Sequence, residues 1–276
     1  MQDERILITV ADDFGLSPLV NEAVEHAALR GVLRCASLMV AAPAAADAIA
    51  RARVLGGRLA VGLHLVVIEG PAVLPPEKIP DLVDARGEFP SDQVAMGFRY
   101  AFNPKVRRQL AAEIRAQFEA FRATGLPLDH ANAHKHMHLH PYVGRMLIEI
   151  GREYGLHAVR IPAEPPAPGV RRSLGDRALY AWTGLLRRQA RRAGMLTNDA
   201  ILGLGSSGHL TPMLVQGLVQ RLPAGVTELY FHPATGEDAI LRRHMPTYEH
   251  RAEFAALLQT RLPADVRLVS YGELGR

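Results

Sequence analysis

About eight short apolar runs, most of them followed by a stretch of helical pattern, restrict this chain to a few folds. Residues 6–11, 35–41, 59–66, 128–132, 156–162, 200–204, 227–231 and 266–269 are short and rich in aliphatic or β-branched side chains. Runs as continuous as Ile6-Leu-Ile-Thr-Val-Ala11 suit parallel strands covered on both faces. Between them lie helical signals. Ser17-Pro18 reads as N-cap and first turn of a helix that runs to Arg30 and stops at Gly31. Residues 44–55 are alanine-rich, and in 105–123 Val106, Leu110, Ile114, Phe118 and Phe121 fall three to four apart. Further helices are expected over 142–154 behind Pro141, over 212–221 and over 248–262. Strands alternating with helices are the pattern of βα units. The expectation is an α/β fold of barrel type, one domain over 1–276, with a length ample for its core.

Two stretches break the alternation. Residues 67–104 carry Pro71, Pro75, Pro76, Pro80, Pro90 and Pro104 and show no periodic element, so they read as a long functional loop. It is apolar for a loop, with Ile68, Val73, Leu74, Ile79, Leu82 and Phe89. The second stretch, about 171–195, is an Arg-rich helical insert. Arg171, Arg172, Arg177, Arg187, Arg188, Arg191 and Arg192 interleave there with Leu174, Tyr180, Trp182, Leu185 and Leu186. A solvated helix face explains it, and so does peripheral contact with an anionic membrane surface.

Composition narrows the function classes. The net charge of +4 comes almost wholly from arginine, and with aromatics at 6% there is no basic-aromatic interleaving of the kind single-strand binders use. Nucleic acid is not an expected partner. Cys35 is the only cysteine, which excludes a disulfide-stapled class. The first residues do not resemble a signal peptide, and no apolar run reaches membrane-spanning length. A cytoplasmic protein is expected.

Polar residues collect where the strands end. Asp12 and Asp13 follow the first run, His64 the third, Arg160 the fifth and His232 the 227–231 run. Adjacent aspartates on a strand face opposite ways, so a turn must bring both to use. A lone histidine at such a place is more often a satisfied core residue. Several at the same end of different strands match the place where β/α barrels build active sites. The fourth run leads into Asn132-Ala-His134-Lys-His136-Met-His138-Leu-His140-Pro141, four of the chain's 12 histidines on alternate positions. Alternation is the strand period, yet positions i to i+6 span roughly 20 Å, so at most two of the four share one ion. Since Pro141 opens a helix, His138 and His140 fall on the turn, leaving His134 and His136 as the better metal candidates.

Ala11-Asp-Asp-Phe-Gly15, Val61-Gly-Leu-His-Leu65, Asn132-Ala-His-Lys-His-Met-His138 and Phe231-His-Pro233 resemble, in order and spacing, the motifs of the YdjC-like carbohydrate deacetylases. The chain looks closest to the branch associated with hopanoid biosynthesis. The resemblance implies a distorted β/α barrel like that of polysaccharide deacetylases and one divalent metal, Zn2+, Mg2+ or Mn2+. It also implies removal of acetyl groups from an N-acetylated glycan or glycolipid. Carried over, the metal ligands are Asp13, His64 and His134, with Asp12 the general base and His232 the general acid. The family commonly has Asp-Ser before the first histidine of the run, where this chain has Asn132-Ala133.

The residue types suit that chemistry. Amide hydrolysis needs a Lewis acid, a base for the water proton and an acid for the departing amine. One carboxylate and two imidazoles leave coordination positions open, as catalytic sites do. Arg160 is expected to orient or pair with Asp12. A metal-dependent phosphoesterase is the rival, although the chain lacks a Gly-rich phosphate loop and enough carboxylates for two metals. A metal- or membrane-binding module would have no need of Asp12 or His232 off the metal. Within the deacetylase reading, a hopanoid-linked N-acetylglucosamine and a soluble chito-oligosaccharide are the alternative substrates.

Overall fold

The computed structural model describes residues 4–165 and 173–275. Its strands are β1 (Arg5–Phe14), β2 (Cys35–Leu38), β3 (Ala60–Leu65), β4 (Gly70–Pro71), β5 (Glu88–Phe89), β6 (Ala131–Ala133), β7 (Ala200–Leu202), β8 (Gly225–Phe231) and β9 (Val266–Leu268). The helices are α1 (Pro18–Arg30), α2 (Ala45–Leu55), α3 (Gln93–Phe102), α4 (Pro104–Ala123), α5 (Pro141–Glu153), α6 (Leu174–Arg192), α7 (Pro212–Gln220), α8 (Ala239–His244) and α9 (His250–Gln259). The main sheet is parallel and runs β6-β3-β2-β1-β8-β7. Strand β8 takes one edge of β1 over Arg5–Ala11, so β9 and β2 share the other, β9 at Arg5–Leu7 and β2 from Val10 onward.

The sheet curls, and the irregular segment 157–163 spans its open side. Ala131 N donates to Ala158 O and Arg160 N to Ala131 O on the β6 side. On the β7 side Leu196 N donates to His157 O and Ile201 N to Ala163 O. Asn198 clips this join by accepting from Ile161 N at 2.7 Å and donating to Ile161 O at 2.8 Å. The distorted β/α barrel expected from the sequence is present. The strand expected over 156–162 is reduced to isolated bridges at Ala158 and Val159.

Helix α1 starts and stops as its sequence demands, with the Ser17 side chain accepting from Leu19 N and Gly31 at the C-cap. The long loop needs correction. Its C-terminal part carries α3, begun by Asp92, whose side chain accepts from Ala95 N, and preceded by the small antiparallel β4–β5 pair. Most of the apolar loop residues turn inward: Ile68, Ile79, Leu82 and Phe89 are buried. The exposed apolar surface belongs instead to α3, where Val94, Phe98 and Phe102 are 69%, 63% and 77% exposed. Of the Arg-rich insert, Arg171 and Arg172 lie outside the described residues. The rest is α6, which buries Thr183, Leu186 and Ala190 and leaves Arg188, Arg191 and Arg192 exposed. Among the described residues no helix is long and apolar enough to cross a membrane.

Candidate metal and catalytic site

The end of β1 builds the centre. Its register with β2 breaks between Ala11 and Phe14, and Asp13 adopts φ 58°, a left-handed backbone that L-residues seldom take. This is the turn the paired aspartates required. Asp13 Oδ1 lies 3.2 Å from His64 Nε2, at the end of β3, and 3.1 Å from His134 Nδ1, just past β6. All three residues are buried and their ligand atoms lie within 4.8 Å of one another. Asp13 Oδ2 and His64 Nε2 have no hydrogen-bond partner. A buried polar atom left so costs about 1–3 kcal/mol unless something binds it. Burial alone would raise the Asp13 carboxyl, but His134 and His64 hold it well below its ordinary value, so it is ionised. One carboxylate and two imidazoles brought together, with Asp13 Oδ2 and His64 Nε2 unpartnered, fit a divalent cation with open positions.

Asp12 points elsewhere. Arg160 grips it with both terminal nitrogens, Nη1 to Oδ2 at 2.5 Å and Nη2 to Oδ1 at 2.9 Å. Its Nε donates to Glu228 Oε1 at 2.6 Å, and Tyr271 OH donates to the other Glu228 oxygen. The guanidinium also lies 5.0 Å from the Tyr230 ring centroid. Burial would raise Asp12, yet Arg160 and then His64 keep its carboxyl far below the usual range. Arg160 thus pairs with Asp12, as the sequence led one to expect. Glu228 and Tyr271 were not anticipated; Glu228 sits among the inward residues of a continuous apolar strand, and a carboxylate there was the available signal.

His232 follows β8. Glu253 on α9 accepts from its backbone N and stands 3.8 Å from Nδ1, while His250 Nδ1 donates to His232 O at 2.7 Å. Burial would lower this imidazole, but Glu253, Asp13 and Asp12 raise it above its ordinary value.

The histidine run is not a strand. Strand β6 ends at Ala133, and His134–Leu139 is a tight helical segment in which Lys135 (φ 50°) and His136 (φ 53°) are left-handed. The alternation therefore distributes four different duties. His134 joins the metal group and His136 does not, which corrects its candidacy. His136 instead packs 5.4 Å from the Tyr230 ring, and burial and then Arg160 push it down to about 3, so it is neutral. His138 donates from Nε2 to Arg160 O at 3.2 Å. His140 caps α5, accepting from Val143 N. Lys135 pairs with Glu69, another left-handed residue, at φ 44°.

The family profile described as YdjC-like protein matches residues 6–267. The chain belongs to the YdjC-like family. A carbohydrate deacetylase of Geobacillus stearothermophilus is 35% identical over 276 residues, 98% of each chain. The Homo sapiens carbohydrate deacetylase is 30% identical over 82% of this chain and 74% of its own length. Among solved structures, a protein of Enterococcus faecalis V583 provisionally assigned to cellobiose-phosphate cleavage superposes with a TM-score of 0.76 at 24% identity. That match covers 98% of this chain and 99% of the other, and it places the YdjC-like chain in the same fold.

Proposed function

We propose that this YdjC-like chain is a metal-dependent carbohydrate deacetylase, hydrolysing the N-acetyl group of a sugar to acetate and a free amine. The observation that carries the reading is the buried Asp13–His64–His134 group, with a second carboxylate, Asp12, and a third imidazole, His232, beside it but off it. A bound divalent cation would supply Lewis acidity toward the acetamide carbonyl and make water more acidic. Asp12 is placed to accept the water proton. Both acceptor directions of its Oδ1 are taken, by Arg160 Nη2 and Asn132 Nδ2, while Oδ2 receives only Arg160 Nη1 and keeps one direction free. His232, raised by Glu253, is placed to protonate the leaving nitrogen. The relatives named as carbohydrate deacetylases support the same substrate class.

The test is release of acetate, with phosphate read in parallel, from N-acetylglucosamine compounds with Zn2+, Mg2+ or Mn2+ added. Phosphate without acetate would favour the phosphoesterase. In that assay His232→Ala is expected to keep metal and KM and to lose roughly 10²–10⁴ in kcat. A change confined to KM would make His232 a binding residue.

The finer substrate reading is an N-acetylglucosaminyl lipid, a hopanoid side chain, handled in peripheral contact with a membrane. Resemblance to the hopanoid-associated branch supports it. So do the exposed Val94, Phe98 and Phe102 on α3, whose first side chain, Gln93, donates to Lys135 O next to His134. On α6 the exposed Trp182 and Leu185 stand on the helix that carries Arg188, Arg191 and Arg192. Near an anionic surface each arginine contributes about 1 kcal/mol. Phe98→Ser with Phe102→Ser is expected to lower kcat/KM for the lipid-linked sugar on anionic vesicles and to spare chitobiose. Equal loss, or none, on both substrates would reject the lipid reading alone.

A further inference from the structure

Asn132 lies between the two halves of the site. It is fully buried, and every polar atom of its amide has a partner. Oδ1 faces His64 Nδ1 at 2.7 Å. Nδ2 donates to Asp12 Oδ1 at 2.9 Å and to Ser37 Oγ at 2.9 Å. Ser37 Oγ is in turn 3.0 Å from His130 Nε2, and His130 Nδ1 is 2.9 Å from Asp129 Oδ2.

The amide orientation is determined from its Asp12 end. A carboxylate only accepts, so the Asn132 atom 2.9 Å from Asp12 Oδ1 is the nitrogen. Its second hydrogen goes to Ser37 Oγ, whose own hydrogen is free for His130 Nε2. The oxygen consequently faces His64 and takes a hydrogen from Nδ1, which turns Nε2 of that ring toward Asp13 as the atom available to a metal. A flipped amide would set oxygen against Asp12 and leave Ser37 without a donor. The Asp129 end is itself anchored, since Gly272 N donates to Oδ1 at 2.8 Å and the His130 ring stacks on Tyr271 at 5.0 Å. Cys35 adjoins Asp129, its Sγ 3.8 Å from Oδ2, and burial pushes its thiol well up. Gly62 in β3 makes room: a Cβ there would stand 2.5 Å from His130 O and 2.6 Å from the ring.

We infer that Asn132 is a positioning residue that presents His64 Nε2 to the metal and holds Asp12 in place, its own amide held by Asp12 on one side and by the buried Ser37–His130–Asp129 chain on the other. An aspartate at 132 would keep the acceptor for His64 but lose both donors and bring a second carboxylate against Asp12. Asparagine at this position therefore defines how this chain couples its ligand to its base.

The experiment uses the full chain and three variants, with nitrogen-15 NMR of the histidine rings in metal-free protein, Zn2+ affinity by calorimetry and steady-state kinetics. The wild type is expected to show His64 protonated at Nδ1. Asn132→Leu should lose that single tautomer and weaken Zn2+ by about 10–100-fold. Asn132→Asp should retain the tautomer and Zn2+ affinity within about threefold, while kcat falls about 10–100-fold with KM unchanged. Ser37→Ala, a one-atom deletion, should lower kcat in the same way and remains available if Asn132→Leu does not fold. A wild-type tautomer and Zn2+ affinity in Asn132→Leu, or a wild-type kcat in Asn132→Asp or Ser37→Ala, overturns the inference. The inference rests on the deacetylase reading only for the kinetic arm. A wild-type chain inactive on every sugar would defeat that reading and leave the tautomer and affinity to decide this one.

Discussion

Alanine in place of His64 or His134 is expected to abolish retention of divalent metal and release of acetate together, whereas Asp12→Asn keeps the metal and loses turnover. Each histidine is one of three candidate ligands, so either variant would leave Asp13 and a single imidazole to hold the cation against water. Asp12 touches neither Asp13 nor the orphaned nitrogen of His64; its oxygens go to Arg160 and Asn132. Metal content by mass spectrometry of dialysed protein, set beside acetate release, separates the two classes. Full occupancy in either histidine variant would remove that residue from the ligand set.

Arg160→Met is expected to cost about 3–5 kcal/mol of stability, because it leaves Asp12 and Glu228 as buried carboxylates without their common cation. Arg160 is fully buried, and lysine cannot reproduce its grip on two carboxylates at once. The pH dependence should change sign. In the wild type Asp12 is depressed, so its stabilising contribution is complete above 3.8 and is lost as pH falls toward the lowered value. Without the arginine, burial raises the same carboxyl, the folded state binds the extra proton, and stability rises as pH falls through that raised value. Urea unfolding of metal-free protein at several pH values measures both effects. A loss below about 1 kcal/mol, or an unchanged pH profile, would show that the network is not strained by removal of its cation.

Much of this was legible from local chemistry. Continuous β-branched runs specify buried parallel strands, and β1, β3 and β8 fall where they were expected because their burial on both faces leaves little choice. Asp12, Asp13, His64, Arg160 and His232 were found as polar residues at strand ends, a place where packing gives them no reason to be. The histidine run misled because period two is a strand signal only while the backbone stays extended, and the left-handed turn at Lys135 and His136 leaves no mark in residue spacing. Helix α3 was missed among prolines, although Pro90 and Pro104 bound a proline-free window opened by Asp92. The partners of Asn132 come from three separated segments, so Ser37 and His130 were legible only once the barrel brought β2 and β6 to either side of β3.

Among the described residues the non-glycine positions with left-handed backbone are Asp13, Glu69, Lys135 and His136. One belongs to the candidate metal group, Lys135 and His136 come straight after another of its members, and Glu69 is the ion-pair partner of Lys135. Each such conformation costs on the order of 1–3 kcal/mol, and glycine would relieve it. Heat tolerance and chemistry therefore pull this chain in opposite directions at the same few codons. A laboratory selection for thermostability alone would drift toward glycine at these positions and yield a sturdier barrel with a blunted site. Stabilising substitutions compatible with function have to be sought on the far rim of the barrel and in the outer helices, where the backbone is relaxed.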